Sequence, residues 1–127
     1  MPGPFPYSII PPYDCPAPVC SVQISYSNLS TNCDAIIDSG ADMTCIPERI
    51  VKDMALLQIM EFEVGGANDG TPQTRPGYVI DFEFLGFTFP ALIVVSIQGL
   101  TDHVLIGRDI LNHHIVTLDA NLGFTVL

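Results

Sequence analysis

Basic side chains are scarce. The chain carries four, Arg49, Lys52, Arg75 and Arg108, against 14 acids, for a formal net charge of −10. With so few cations and no basic patch, nucleic acid and anionic membrane surfaces are poor partners, and neither is expected. Close cysteine pairs are missing too. Cys15, Cys20, Cys33 and Cys45 form no Cys-x-x-Cys, and with His103, His113 and His114 they give no zinc-ligand spacing. No metal and no cofactor are expected. The cysteines read as small buried hydrophobes, with disulfides open if the protein is exported. Long apolar runs are also lacking. The stretch from Leu85 to Leu100 has Pro90 in its middle and falls short of the ~20 residues that span a bilayer. The N-terminus has neither a basic n-region nor an unbroken apolar h-region, so no signal peptide is expected. The default expectation is a soluble, cytoplasmic protein.

What is present is apolar and turn-rich. A length of 127 residues that are 48% hydrophobic, with a mean hydropathy of +0.40, fits one domain with a modest core and not a disordered chain. Seven of the eleven prolines fall within residues 1–18, which excludes a helix or an inner strand there. That segment is either a flexible arm or an extended strap on the body or on a partner, and Phe5, Tyr7, Ile9, Ile10 and Tyr13 favour the strap. We therefore divide the chain into an arm, 1–18, and a domain, 19–127.

Within the domain, alternation over Val19–Tyr26 predicts a strand, followed by a polar turn over Ser27–Asn32 and a returning strand over Cys33–Asp38. Pro47 can open a short helix over roughly Glu48–Leu57, with Ile50, Val51, Met54 and Leu57 at helical spacing. Strands are expected over Ile59–Val64, Tyr78–Phe84 and Phe87–Val95, the last two joined by Leu85-Gly86. The dense turn signal from Gly65 to Pro72 makes a candidate mobile lid between the first two. His103–Leu111 reads as an apolar strand broken by Gly107 and then a helix start with Ile110 and Leu111 inward, and Ile115–Leu118 with Gly123–Leu127 as a terminal pair. Phe82, Phe84, Phe87 and Phe89 form the aromatic part of the core. His103, just before the second apolar run, could face a pocket but reads rather as a surface residue, and His113 and His114 as companions of a helix end.

One stretch, Ala35–Pro47, is out of the ordinary. An apolar run, Ala35-Ile36-Ile37, delivers Asp38 into a Ser39-Gly40 turn, and an ionised carboxylate beside buried aliphatics is costly unless partnered. By itself this could be a strand ending in an Asx-type turn. Downstream, the run Val104-Leu105-Ile106-Gly107-Arg108-Asp109-Ile110-Leu111 repeats the pattern of apolar strand, glycine, charge and short helix.

Together the two stretches resemble the signatures of retroviral-type (retropepsin-like) aspartic proteases. Two apolar residues precede Asp38-Ser39-Gly40-Ala41-Asp42, and a later apolar-apolar-Gly-Arg run enters a helix beneath that loop. The resemblance covers roughly Val19–Leu118. It implies an all-β fold, a closed retropepsin-like barrel with one or two short helices and one lobe per chain.

It also implies an aspartic endopeptidase that hydrolyses peptide bonds with a water held between two carboxylates. The chain has a single Asp-Ser/Thr-Gly and is too short for two lobes, so the second carboxylate would be Asp38 of a second copy, in a homodimer. Further by resemblance, Ser39 hydrogen-bonds across the subunit interface and stiffens the two loops, Asp42 pairs with Arg108, and Gly40 supports the loop by allowing close backbone approach and takes substrate through its carbonyl. Ala41, Met43, Cys45 and Leu105 line apolar pockets, and the 65–72 loop, with Gly65, Gly66 and Ala67, is the flap. The substrate would be a peptide or an unfolded protein. The competing reading is a non-proteolytic dimerisation or peptide-binding module on the same fold, which an intact Asp-Ser-Gly disfavours.

Overall fold

The computed structural model describes residues 3–65, 72–97, 99–100 and 102–127. Val22 and Ile24 are buried while the residues between them face out, so Val19–Tyr26 forms a half-buried strand, β1. The reversal after it is tighter than expected. It occupies only Ser27-Asn28, Ser27 taking a positive φ of 55°, and β2 already begins at Leu29 and runs to Ile37. The expected six-residue turn is thus two residues long, because Leu29–Asn32 finds ladder partners in Gln23–Tyr26.

β3 is short, Cys45–Ile46, and leads into helix α1, Glu48–Asp53. The helix stops a turn before the expected end at Leu57. Ala55 adopts φ 50°, which no α-helix continues through, and Leu56 rather than Leu57 turns into the core. Leu57 is exposed. β4 (Met60–Val64), β5 (Gln73–Phe84) and β6 (Phe87–Ser96) form a meander, β5 and β6 being joined through Leu85-Gly86, both at positive φ. The expected lid falls largely outside the described residues: Gly66 and Ala67 are not among them. Then follow β7 (His103–Ile106), helix α2 (Arg108–Leu111), β8 (Val116–Asp119) and β9 (Gly123–Val126).

Six strands close on themselves in the order β1-β2-β7-β3-β6-β5, with β5 returning to pair with β1. Closure leaves these strands without free edges inside the ring. β4 is added outside it, on β5. Most pairings are antiparallel, but β2 runs parallel to β7 and β3 parallel to β6. Ile24, Ile46, Ile80, Phe82, Phe84, Val94, Val104 and Ile106 fill the interior, and Ile50 and Ile110 cap it from the two helices. Burying side chains of this size contributes roughly 1.5–3 kcal/mol each.

The proline-rich segment lies on the body. Phe5 exchanges two backbone hydrogen bonds with Phe124 (2.8 Å each), and their rings pack at 5.4 Å. Two expectations about single residues fail here. His103 is 1% exposed, because Tyr13 of the arm packs over it. Cys15, in the same arm, is exposed, although Cys20 and Cys45 are buried as expected and all four thiols are free. Among the described residues, no helix is long and apolar enough to cross a membrane.

Candidate active site

Register places Asp38. β2 runs parallel to β7 from Asp34 opposite His103 to Ile37 opposite Ile106. The next amide, that of Asp38, donates to the Ile106 carbonyl at 2.9 Å. The acid therefore emerges where the ladder ends and the chain must turn. Gly40 N–H donates back to Asp38 Oδ1 at 2.9 Å, and Ala41 N–H to the Asp38 carbonyl at 3.2 Å. This is the Asx-type geometry that the tripeptide alone would suggest. Among the described residues, no Lys, Arg or His side chain forms an ion pair with Asp38.

The second stretch lies directly beneath. Arg108 N–H donates to the Ala41 carbonyl (2.8 Å), its guanidinium donates to the Ser39 carbonyl (2.8 Å), and it pairs with Asp42. The Asp42–Arg108 pair is where the resemblance puts it, but its side chains are 83% and 43% exposed in the single chain. There it contributes under about 1 kcal/mol. Gly107 is needed for close approach: a Cβ on it would stand 2.6 Å from the Met43 carbonyl carbon and 2.9 Å from the Ala41 oxygen.

The firmest tie was not singled out from the sequence. Thr44 is fully buried. Its hydroxyl donates to Asp109 Oδ1 (2.8 Å) and accepts from Gly107 N–H (3.2 Å), while its amide donates to Asp109 Oδ2 (2.9 Å). Asp109 also accepts from Ile110 N–H at 2.9 Å. A half-buried carboxylate with three donors is held by charge-assisted bonds, the stronger kind. The only sequence signal for it was an acid directly after Gly107-Arg108 at a helix start.

Above this floor opens a cavity of about 520 Å³. Asp38, Gly40, Ala41, Asp42, Met43, Cys45, Gly65 and Leu105 line it, which brings together most of the residues singled out from the sequence. Ser39 and Arg108 are not on its wall; the Arg108 guanidinium reaches the loop from behind through the Ser39 carbonyl and Asp42. Five wall residues were missed: Phe62, Glu63, Val64, Val95 and Ile97. Phe62 and Val64 share one face of β4, and Val95 lies across the meander on β6, a proximity created only by pairing. Cys45 is no nucleophile here. Burial, and then the charges of Asp109 and Asp38, push its thiol up to about 11, and it donates to the Met43 carbonyl at 3.3 Å. Among the described residues, no three His, Cys, Asp or Glu side chains gather as a metal site.

A closed six-stranded barrel, whose Asp-Ser-Gly loop is braced by an apolar-Gly-Arg helix entry, is the retroviral-type aspartic protease fold. The chain belongs to that family: the family model described as gag-polyprotein putative aspartyl protease matches residues 27–113. Two solved structures share the fold. One is the foamy viral protease-reverse transcriptase in complex with RNA/DNA hybrid, 21% identical, with a TM-score of 0.57, over 80% of this chain and 13% of that one. The other is the foamy viral protease-reverse transcriptase dRH in complex with double-stranded DNA, 21% identical, with a TM-score of 0.55, over 79% of this chain and 16% of that one. The chain thus spans less than a fifth of the length of either. No curated protein matches it.

Proposed function

We propose that residues 19–127 are an aspartic endopeptidase domain, preceded by an arm over 1–18, and that the domain acts as a homodimer sharing two Asp38 carboxylates. The observation that carries this reading is the position of Asp38. It stands at the end of a core strand, on the wall of a large cavity, with no cation to neutralise it among the described residues. The chain supplies one such acid, and two-fold symmetry would set it opposite its own copy.

The chemistry follows from that pairing. Like charges a few ångströms apart do not both ionise easily, so two facing carboxylates share one proton; aspartic-protease dyads are the standard instance of this behaviour. The ionised Asp38 takes a proton from the bound water, whose oxygen attacks the scissile carbonyl carbon. The protonated Asp38 donates to the carbonyl oxygen, giving a neutral tetrahedral diol. Proton transfer to the amide nitrogen then lets the C–N bond break, releasing an acid and an amine. Gly40 N–H, holding Asp38 Oδ1, fixes the carboxylate plane, and the Thr44–Asp109 bonds hold the loop that carries it.

The walls suggest the substrate. Met43, Phe62, Val64, Val95, Ile97 and Leu105 make the cavity mainly apolar, which fits a peptide or an unfolded protein with apolar side chains at the cut. The loop over 65–72 would close above it as a flap, the extended substrate pairing with it as a strand. No cofactor enters the mechanism.

Peptide-library cleavage by the wild type beside Asp38→Asn tests the reading and maps the subsites together. Cleavage should appear at acidic pH, respond to transition-state mimics of the pepstatin type, and vanish in Asp38→Asn with the dimer intact by sedimentation. Undiminished cleavage in that variant, or a strict monomer at active concentrations, would exclude the shared dyad.

A further inference from the structure

The arm is not a passive tail. After Phe5 is seated against Phe124, the chain folds back on itself: Ser8 N–H donates to the Ala17 carbonyl (2.9 Å) and Ala17 N–H to the Ser8 carbonyl (2.8 Å). Residues 8–17 therefore form a closed loop, tightened at its tip by Tyr13 N–H donating to the Ile10 carbonyl at 2.9 Å. From that tip Tyr13 reaches the first residue of β7. Its hydroxyl lies 3.0 Å from His103 Nε2, and the two rings meet edge to face at 5.2 Å and 75°.

His103 is an unusual seat for it. By strand alternation it faces away from the core side chain of Val104 and shares its face with Leu105, a wall residue of the cavity. Its Nδ1 is buried with no hydrogen-bond partner among the described residues. In the tautomer whose Nε2–H donates to the Tyr13 hydroxyl oxygen, a neutral imidazole leaves Nδ1 a bare lone pair. An imidazolium would bury an Nδ1–H with no acceptor and half of its charge.

The charged and titratable groups around it are Asp34 opposite it on β2, Asp102 before it, and Arg49 of α1, which is tied to Asp102. Cys33 lies beside Asp34, and Asp14 follows Tyr13 on the arm. Asp102 and Asp34 favour the cation, but burial outweighs them and lowers the imidazole from its ordinary value of 6.5.

We infer that residues 8–17 are a proton-released latch, closed on neutral His103 through Tyr13 and opened when that histidine is protonated. The sign follows from linkage. A histidine whose affinity for protons is lower in the closed state leaves the latch fully favoured above pH 6.5. Closure weakens as pH falls from there towards the depressed value. Opening uncovers His103, two residues along β7 from the cavity-wall Leu105, under the acidic conditions in which a shared carboxylate dyad works. The latch does not depend on the chain being a protease.

Amide hydrogen exchange of the intact chain at about pH 7.5 and about pH 5, corrected for intrinsic rates, tests it. Protection of the Ser8, Tyr13 and Ala17 amides should fall on acidification, while β1 amides keep theirs. In His103→Gln, which retains a polar head for Tyr13 but does not titrate, arm protection should be the same at both pH values. Equal wild-type protection at both pH values overturns the latch, and so does the same acid release in His103→Gln, which would assign it to Asp14, Asp34 or Asp102. If His103→Gln does not fold, an NMR titration of His103 decides. Its midpoint should rise towards the ordinary value in Tyr13→Ala, and an unchanged midpoint refutes the coupling.

Discussion

The active-site floor and the N-terminal arm are held to the barrel by different means. The floor, residues 38–44 against 107–109, is stitched by six hydrogen bonds of 2.8 to 3.3 Å in addition to the Asp42–Arg108 pair, and Thr44 and Gly107 at its centre are buried. The arm rests on one two-way backbone pairing at Phe124, the packing of the Phe5 and Tyr7 rings on Phe124, the Tyr13 contact at His103 and the join of Pro18 to Ile37. A densely bonded, buried unit yields only when the whole domain unfolds, whereas a segment with a few separated anchors opens on its own. The difference suits a carboxylate that must stay in place and a strap that can leave.

Four substitutions would break or sharpen that contrast. The largest effect is chemical: Asp38→Asn should lower peptide cleavage by at least about a thousandfold with the melting temperature essentially unchanged, because the carboxylate supports no packing. Kinetics and thermal melts on the same preparation check both halves. Next, Gly107→Ala forces a methyl against Met43 and Ala41 and should destabilise the domain by about 3 kcal/mol in denaturant titration. A change under about 0.5 kcal/mol would show that the floor is looser than its bonds suggest. Gly123→Ala should have a smaller effect, about 1–2 kcal/mol. Its φ is +110° and its new Cβ would overlap the Phe5 carbonyl, so the arm should be cut by protease before the barrel melts. Simultaneous loss of both would make the arm part of the core. Smallest is Asp42→Asn, which should shift stability by under about 1 kcal/mol in the single chain, the pair being exposed. A larger shift that grows with protein concentration would place this pair at the subunit seam.

Sequence reading recovered the floor better than the roof. Asp38, Asp42 and Arg108 were legible because their spacing within two short motifs is local, and both motifs end strands whose apolar residues are contiguous. Thr44 and Asp109 were not, since each is an ordinary helix-start or turn residue until antiparallel pairing of β3 with β7 brings them within 2.8 Å. Phe62, Val64 and Val95 read as generic strand positions, and Ile97 lay beyond the expected end of its strand. They became a wall only when β4 was added outside the ring, across β5 from β6. His103 was misread for a related reason: its neighbours in sequence say nothing of a tyrosine 90 positions away.

The sequence by itself determined the alternating strands, the Asp-Ser-Gly turn, the Gly-Arg helix entry and the acidic balance of the chain. These depend on residues within a few positions of one another, where periodicity and turn chemistry act. Only the tertiary structure decided that the strands close into a ring, that Asp109 clamps Thr44, and that the proline-rich segment lies on β7 and β9. Those contacts join residues roughly 50 to 120 positions apart. Their free energy comes from burial and paired hydrogen bonds that do not exist until the chain has folded.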